Sequence, residues 1–347
     1  MAIRGYHQYR GKGRGSKKPL VFLLLLILLG ACTFLLLQRH IVYDGSGAHL
    51  ELPFGRDQQT GEPDIIPDDE IIIQREESTE PKPEPEPEPE PLVLSPLHAW
   101  ELPHNCLKSD PSSALREREA VVVNIKLLDG SITYATKVTL PENIHRGNEA
   151  TLGHLQKITS ADCYTVARIC ALCDSSYPAG NRDAAYQISG NGLWQDNYGR
   201  TWLDPTTDAT ADYLCALAKE CAQLGFDEIL LDQLRFPIEG DLSRSSLSSS
   251  TKRPDAIAAL VAKIREAAGP QVAVSILLPA SLDTDYAFKA SGLTATVLAE
   301  HFDRIYVPQD SAAHMWVDNA MGSDFDRSTR LVKTGYGTTK GSYMVLQ

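Results

Sequence analysis

The chain is short of the residues that staple small domains or hold metals. Its 347 residues include seven cysteines, too few and too odd in number for a disulfide framework. Cys32 lies in an apolar run, and Cys215 and Cys221 are six apart on a predicted helix, so they face different sides. Cys170 and Cys173 form a C-x-x-C inside an apolar run that reads as a strand, and no second ligand pair stands at finger-like spacing. We read the cysteines as core thiols, which behave as small hydrophobes. The sequence also lacks a P-loop, a dinucleotide fingerprint and a metal-ligand cluster, so no cofactor and no metal are expected. Basic residues are outnumbered, 33 against 45 acids, for a net charge of −12. About −7 of this falls on residues 92–347, which argues against nucleic acid as a partner.

What charge there is lies unevenly. Residues 1–18 carry six Arg or Lys and no acid. Pro19 to Leu37 is then an uncharged apolar run of nineteen residues, long enough to cross a bilayer. The basic tail keeps the N-terminus in the cytoplasm and sends everything after Arg39 outside. We read the run as an uncleaved, single-pass signal anchor that ties the chain to the cell membrane. A cleaved signal peptide and a lipoprotein anchored at Cys32 (Leu29-Gly30-Ala31-Cys32 has the look of a lipobox) are the alternatives. Residues 38–91 read as a disordered linker. From Val42 they show no sustained helix or strand period, and they are too rich in Asp, Glu and Pro to supply a core. Pro81 to Pro91 alternates proline with charge, which favours a stiff polyproline II spacer of roughly 34 Å at ~3.1 Å per residue.

Residues 92–347 are globular in composition and repeat a strand-then-helix rhythm. Strands are predicted at Leu94–Trp100, Ala120–Leu127, Tyr164–Leu172, Glu228–Asp232, Val272–Leu278, Arg304–Pro308, Thr329–Thr334 and Gly341–Leu346. Eight strands in about 255 residues fit a closed (β/α)8 barrel, a TIM barrel, whose usual length is ~250 residues. One helix is predicted to start with Asp204 as cap and Pro205 in its first turn, and to close at Gly225. A second runs from about Pro254 to Gly269. The loop from Ile238 to Arg253 holds six serines and overhangs the barrel mouth, as a mobile lid or an inconsequential insertion.

The most informative strand is Glu228-Ile229-Leu230-Leu231-Asp232. Alternation puts Glu228, Leu230 and Asp232 on one face. If that face points inward, Asp232 stands at the carboxyl end of the strand, where barrel enzymes keep their chemistry. Arg235 can then hold Asp232 ionised, or form a plain structural ion pair. Trp100, Trp194 and Trp202 are candidate sugar platforms, with Trp194 favoured because its loop is polar.

The stretch Gly192-Leu193-Trp194-Gln195-Asp196, Thr201-Trp202-Leu203-Asp204-Pro205, Leu224-Gly225-Phe226-Asp227-Glu228-Ile229, Asp232 and Arg235-Phe236-Pro237 resembles a bacterial family of TIM-barrel domains. That family was first catalogued as a domain of unknown function and carries the label putative glycoside hydrolase; many members have an N-terminal anchor. The resemblance spans roughly residues 92–347 and is most specific over 164–240. It implies an eight-stranded barrel acting on a carbohydrate, and the partner expected is a carbohydrate polymer. It places Asp232 on the acid ending the fourth strand, Asp174 on an acid just past the third, Lys126 on a lysine of the second, and His314 on a histidine beyond the sixth. Asn124, Leu127 and Leu277 depart from the pattern, standing where the family usually has acids.

Glycoside hydrolysis needs two carboxyl groups across the scissile bond. The expected catalytic pair is Asp232 with Asp310, which follows a strand end at Pro308-Gln309. Asp174, Glu239, Asp283 and Asp285 are the other candidates for the second acid. Asp174, Trp194, Arg235 and His314 are the expected substrate-binding residues. The function read from this is a membrane-anchored glycosidase acting on a cell-wall or extracellular glycan. A barrel that binds glycan without cutting it, or an envelope scaffold, are the alternatives.

Overall fold

The computed structural model of the protein describes residues 41–44, 47–50, 92–190 and 192–347. The predicted span at 19–37 and most of the linker lie outside the described residues. Among the described residues, no helix is long and apolar enough to cross a membrane. Where no strand period is expected, Ile41–Asp44 pairs antiparallel with Gly47–Leu50. Ile41, Val42 and Tyr43 are strand formers.

Residues 98–345 carry a closed parallel barrel of eight strands in sequence order. They are β1 His98–Glu101, β2 Ala120–Lys126, β3 Tyr164–Cys170, β4 Glu228–Asp232, β5 Ala273–Leu277, β6 Ile305–Pro308, β7 Leu331–Gly335 and β8 Tyr343–Val345. Pairing of β8 with β1, Tyr343 to His98 and Val345 to Trp100, closes the ring. All eight fall on the predicted runs, shifted by a few residues at the weaker ends. The first strand starts later than predicted and ends on Glu101 rather than Trp100.

The crossover helices are α1 Glu149–Thr159, α2 Asp208–Gln223, α3 Arg253–Ala268, α4 Asp285–Ser291, α5 Ala295–His301 and α6 Ala312–Ala320. Helix α2 has its cap three residues past the predicted one. Thr207 caps it, while Asp204 instead accepts from the N–H and hydroxyl of Thr206 in a turn. Each of the two long helices buries one apolar face. Leu214, Leu217, Ala218 and Cys221 of α2 and Ile257, Leu260, Val261, Ile264 and Ala268 of α3 are buried. They pack on the outward residues of the strands, such as Val121, Val123, Ile229 and Ile276, in one continuous apolar shell. The thiols of Cys170, Cys173 and Cys221 are buried, and all the described cysteines are free.

The inside of the barrel is layered. Ala99, Ala120, Val122, Val166, Leu230, Tyr306, Val332 and Met344 fill its middle. Toward the amino ends of the strands lies a buried polar knot. Glu228 accepts from Arg304, from the Tyr164 hydroxyl at 3.0 Å and from the Tyr306 hydroxyl at 2.9 Å. Burial, and after it the charge of Glu228, pushes both phenols above their usual range, so both stay protonated and donate. The Arg304 and Glu228 side chains are 2% and 0% exposed.

The rim loops are pinned by a second set of buried polar groups. Arg235 grips Glu239 with two bonds of 2.6 and 3.0 Å, and its guanidinium stacks 4.9 Å from the Trp202 ring centre. Burial works to raise the Glu239 carboxyl, but the Arg235 bonds and charge outweigh it and hold the group below its usual range. Trp202 donates to Asp196 at 3.0 Å, and Trp194 donates to the Asp241 carbonyl at 3.0 Å. The serine-rich loop is therefore tied down at its start, and a short turn at Leu242–Arg244 follows.

Two outcomes follow from these buried charges. Replacing Arg304 with Leu strands Glu228 in the core and lowers unfolding free energy by about 3–5 kcal/mol in urea denaturation; a loss below ~1 kcal/mol would show the knot to be dispensable. Glu239 has a depressed folded-state value, so its stabilisation is present above the unfolded value of ~4.5 and fades as pH falls through the folded one. The stability gap between wild type and Glu239→Gln, measured by thermal melting, is thus largest near pH 7 and closes below pH ~4.5; a gap independent of pH would refute this origin.

Candidate active site

The mouth at the carboxyl ends of the strands is organised by one guanidinium. Arg168 lies inward on β3, between Asn124 of β2 and Leu230 of β4 in the ladder. Its Nη2 and Nε donate to Oδ2 of Asp232 at 2.7 and 3.2 Å. Its Nη1 donates to Oε1 of Glu101 at 2.6 Å, and the Asn124 amide donates to the same oxygen at 3.2 Å. Burial alone would lower the guanidinium, but Asp232 and Glu101 more than compensate, and it stays charged. Two carboxylates, from the ends of β4 and β1, thus stand on either side of one cation. These bonds land on one oxygen of each carboxylate, which among the described residues leaves Oδ1 of Asp232 and Oε2 of Glu101 unengaged. The three charged groups line a cavity of about 260 Å³ with His104, Lys126, Leu127 and Cys170.

Strand β4 behaves as its alternation predicts. Glu228 and Leu230 face the barrel interior, and Asp232 reaches the rim with its side chain 12% exposed. The chain turns immediately after it through Gln233, a non-glycine residue at φ 51°. Such backbone costs roughly 1–2 kcal/mol and recurs where structure serves a site.

The other predicted residues lie elsewhere. Arg235 is not the partner of Asp232; it is 2% exposed and committed to Glu239, and Arg168 fills the role foreseen for it. Trp194 is not an open platform but 4% exposed under Gly240, with Tyr186 edge-on at 6.1 Å. Trp202 is fully buried, and Trp100 is covered by Arg118 at 4.5 Å. Asp174 is fully buried, pairs with Lys126 at 2.8 Å and accepts from the backbone of Ser176 and Tyr177. It is roofed by Gly130, at φ 89°, where any Cβ would strike its Oδ1 at 2.2 Å. Lys126 reaches Asp174 because the register slips between Asn124 and Lys126, which sets Lys126 opposite Ile169 and off the inward row. Asp310 is exposed after β6, at φ 57°, and is not among the residues lining the Asp232 cavity. Its N–H donates to Nδ1 of His314 at 3.4 Å, and His314 in turn lies 3.3 Å from Asp318. Asp285 accepts from the Trp316 indole, and Asp283 is exposed.

Glu101 and the role of Arg168 were missed by sequence reasoning. A signal for Glu101 exists. Ala99 is a small inward residue, so Glu101 shares its face, and Leu102-Pro103 stops the strand just beyond, as Phe236-Pro237 does soon after Asp232.

Comparison with known proteins adds a family. Among solved structures, a hypothetical protein from Ruminiclostridium thermocellum is 24% identical over 51% of this chain and 96% of its own, with a TM-score of 0.42. The glycoside hydrolase domain of PelA from Pseudomonas aeruginosa is 13% identical over 70% of this chain and 84% of its own, with a TM-score of 0.40. Aspergillus fumigatus Ega3 in complex with galactosamine is 10% identical over 70% and 78%, with a TM-score of 0.39. No curated protein matches the chain. A family model does, over residues 113–305, more than half of the chain and a stretch that includes β2 to β5 entire. The chain belongs to the family described as "Putative glycosyl hydrolase domain".

Proposed function

We propose that the barrel hydrolyses glycosidic bonds of a cell-wall or extracellular glycan, with Asp232 and Glu101 as the working carboxylates. The observation that supports it is their placement on one guanidinium at the barrel mouth, in a chain of this family. One guanidinium between two carboxylates spaces them on the order of the ~5–10 Å that glycoside hydrolysis uses. Asp232 takes two bonds from Arg168 on Oδ2, which orient it and leave Oδ1 to act as base or nucleophile. Glu101 takes one from Arg168 and one from Asn124, both on Oε1, and its unengaged Oε2 is the oxygen we assign to the leaving-group side. Asp310 drops to a peripheral place.

A second reading has its own support. Arg168 is ion-paired with both acids, and Asn124, Leu127 and Leu277 stand where the family usually carries acids, as suits a barrel that binds glycan and cuts nothing. Incubating residues 92–347, which contain all eight strands, with cell-wall glycan and a polysaccharide panel separates the two. Hydrolysis predicts sugar release by wild type that falls about 10²–10⁴-fold in Asp232→Asn and in Glu101→Gln. Release unchanged in both variants would remove the pair. Affinity without release, retained in Asp232→Asn, would establish the binding reading.

We further propose that residues 19–37 anchor the chain in the cell membrane with the barrel outside. Full-length protein should sediment with membranes, and a chain lacking residues 1–37 should not. Cys32→Ser should leave the sedimentation unchanged; release by that substitution would instead establish a lipoprotein.

A further inference from the structure

A second cavity, of about 470 Å³, adjoins the mouth and shares His104 and Leu127 with it. It is formed by the loop after β1, carrying His104 and Lys108, and the loop between β2 and α1, carrying His145 and Arg146. Backbone bonds fix the second loop, with the Ile132 N–H donating to the His145 carbonyl at 2.9 Å and the Gly147 N–H to the Ile132 carbonyl at 3.0 Å. What sets the cavity apart is its charge. The chain carries 45 acids against 33 bases, yet none of the residues lining this cavity is an Asp or Glu. Two are permanent cations, and two are histidines.

These side chains are also uncommitted. His104, Lys108, His145 and Arg146 are all exposed. Among the described residues none of the four makes an ion pair or a side-chain hydrogen bond. The contrast with the rest of the mouth is sharp, since Lys126, Arg168 and Arg235 each have a carboxylate partner. Cations left free around a concavity, with no acid in it, are complementary to an anionic ligand. Because the cavity shares His104 and Leu127 with the one lined by Glu101 and Asp232, a chain of sugars lying across the mouth can extend over both.

We infer that this cavity is a subsite for an acidic glycan, one whose sugars carry carboxylate groups, with Lys108 and Arg146 as its recognition residues. The inference rests on the glycan-acting reading of the mouth and names the substrate class for it. Arg146 can take a carboxylate through two parallel N–H bonds, and Lys108 adds a point charge on the facing loop. The histidines can supply further N–H donors to sugar hydroxyls. The neutral rim of the cavity, including Leu127 and Ile132, offers an apolar floor to a sugar ring.

The test is binding of the full-length chain, in detergent micelles, to polygalacturonate, alginate and hyaluronan, each beside its carboxyl-esterified form. A phosphodiester polymer and two neutral glucans complete the set. The expected result is that at least one carboxylated polymer binds, that its ester binds about tenfold more weakly, and that raising salt from about 0.05 to ~0.5 M weakens only the charged form. The double variant Lys108→Gln/Arg146→Gln should lose about tenfold toward the acidic polymer while keeping its melting temperature. Equal affinity for acid and ester, an unchanged double variant, preference for the phosphodiester or a neutral glucan, or no binding to any carboxylated polymer would each overturn the subsite. Failure of hydrolysis with intact charge-dependent binding would instead count against the catalytic reading alone.

Discussion

The structure depends on the two-residue period of its fourth strand. Glu228, Leu230 and Asp232 project into the barrel at three successive levels, and each level has its own physics. At the lowest, a buried carboxylate is tolerated only because Arg304, Tyr164 and Tyr306 converge on it. The middle is apolar and closes the barrel to water. At the top, Asp232 meets Arg168, whose guanidinium also holds Glu101. A one-residue slip of this strand would send all three side chains outward at once, into an apolar shell with no partners for two acids. The register is therefore strongly specified, and the mouth inherits that precision.

The polar groups around the mouth divide by what bonding capacity they have left. Arg235, Glu239, Asp174 and Lys126 are committed to one another and fix the rim loops. Trp194 and Trp202 are committed likewise, their indole N–H groups donating to the protein. Glu101 and Asp232 each keep an oxygen for something else, and the cations of the neighbouring cavity keep all their donors. Functional capacity in this barrel is thus a matter of unused hydrogen-bonding valence, not of residue type.

That distinction explains what the sequence made legible. Eight strands, their order and the helix faces follow from periodicity, because burial on one face leaves a repeating record. That Glu228, Leu230 and Asp232 share one face follows for the same reason, while its inward direction is fixed by the barrel. Arg235 could not be assigned from sequence, since it lies three residues from Asp232 yet the turn at Gln233 carries it away, to Glu239. Arg168 lies sixty-four residues from Asp232 and meets it only because β3 and β4 are neighbours. Trp194 looked available in a polar loop, but Gly240 and Asp241 of a distant loop cover it. Glu101 was hidden by a strand boundary placed one residue short. Partners in space, and boundaries to within a residue, were the information that periodicity lacks.

The central claim is that glycan chemistry is centred between Asp232 and Glu101. It is tested most directly by a crystal structure of the Glu101→Gln variant with a bound oligosaccharide from the most responsive polymer. The account predicts a glycosidic oxygen within hydrogen-bonding distance of the side-chain amide introduced by that substitution, with a sugar ring beside Asp232 Oδ1. A sugar bound away from both positions, with the Arg168–Asp232 pair untouched, would contradict it.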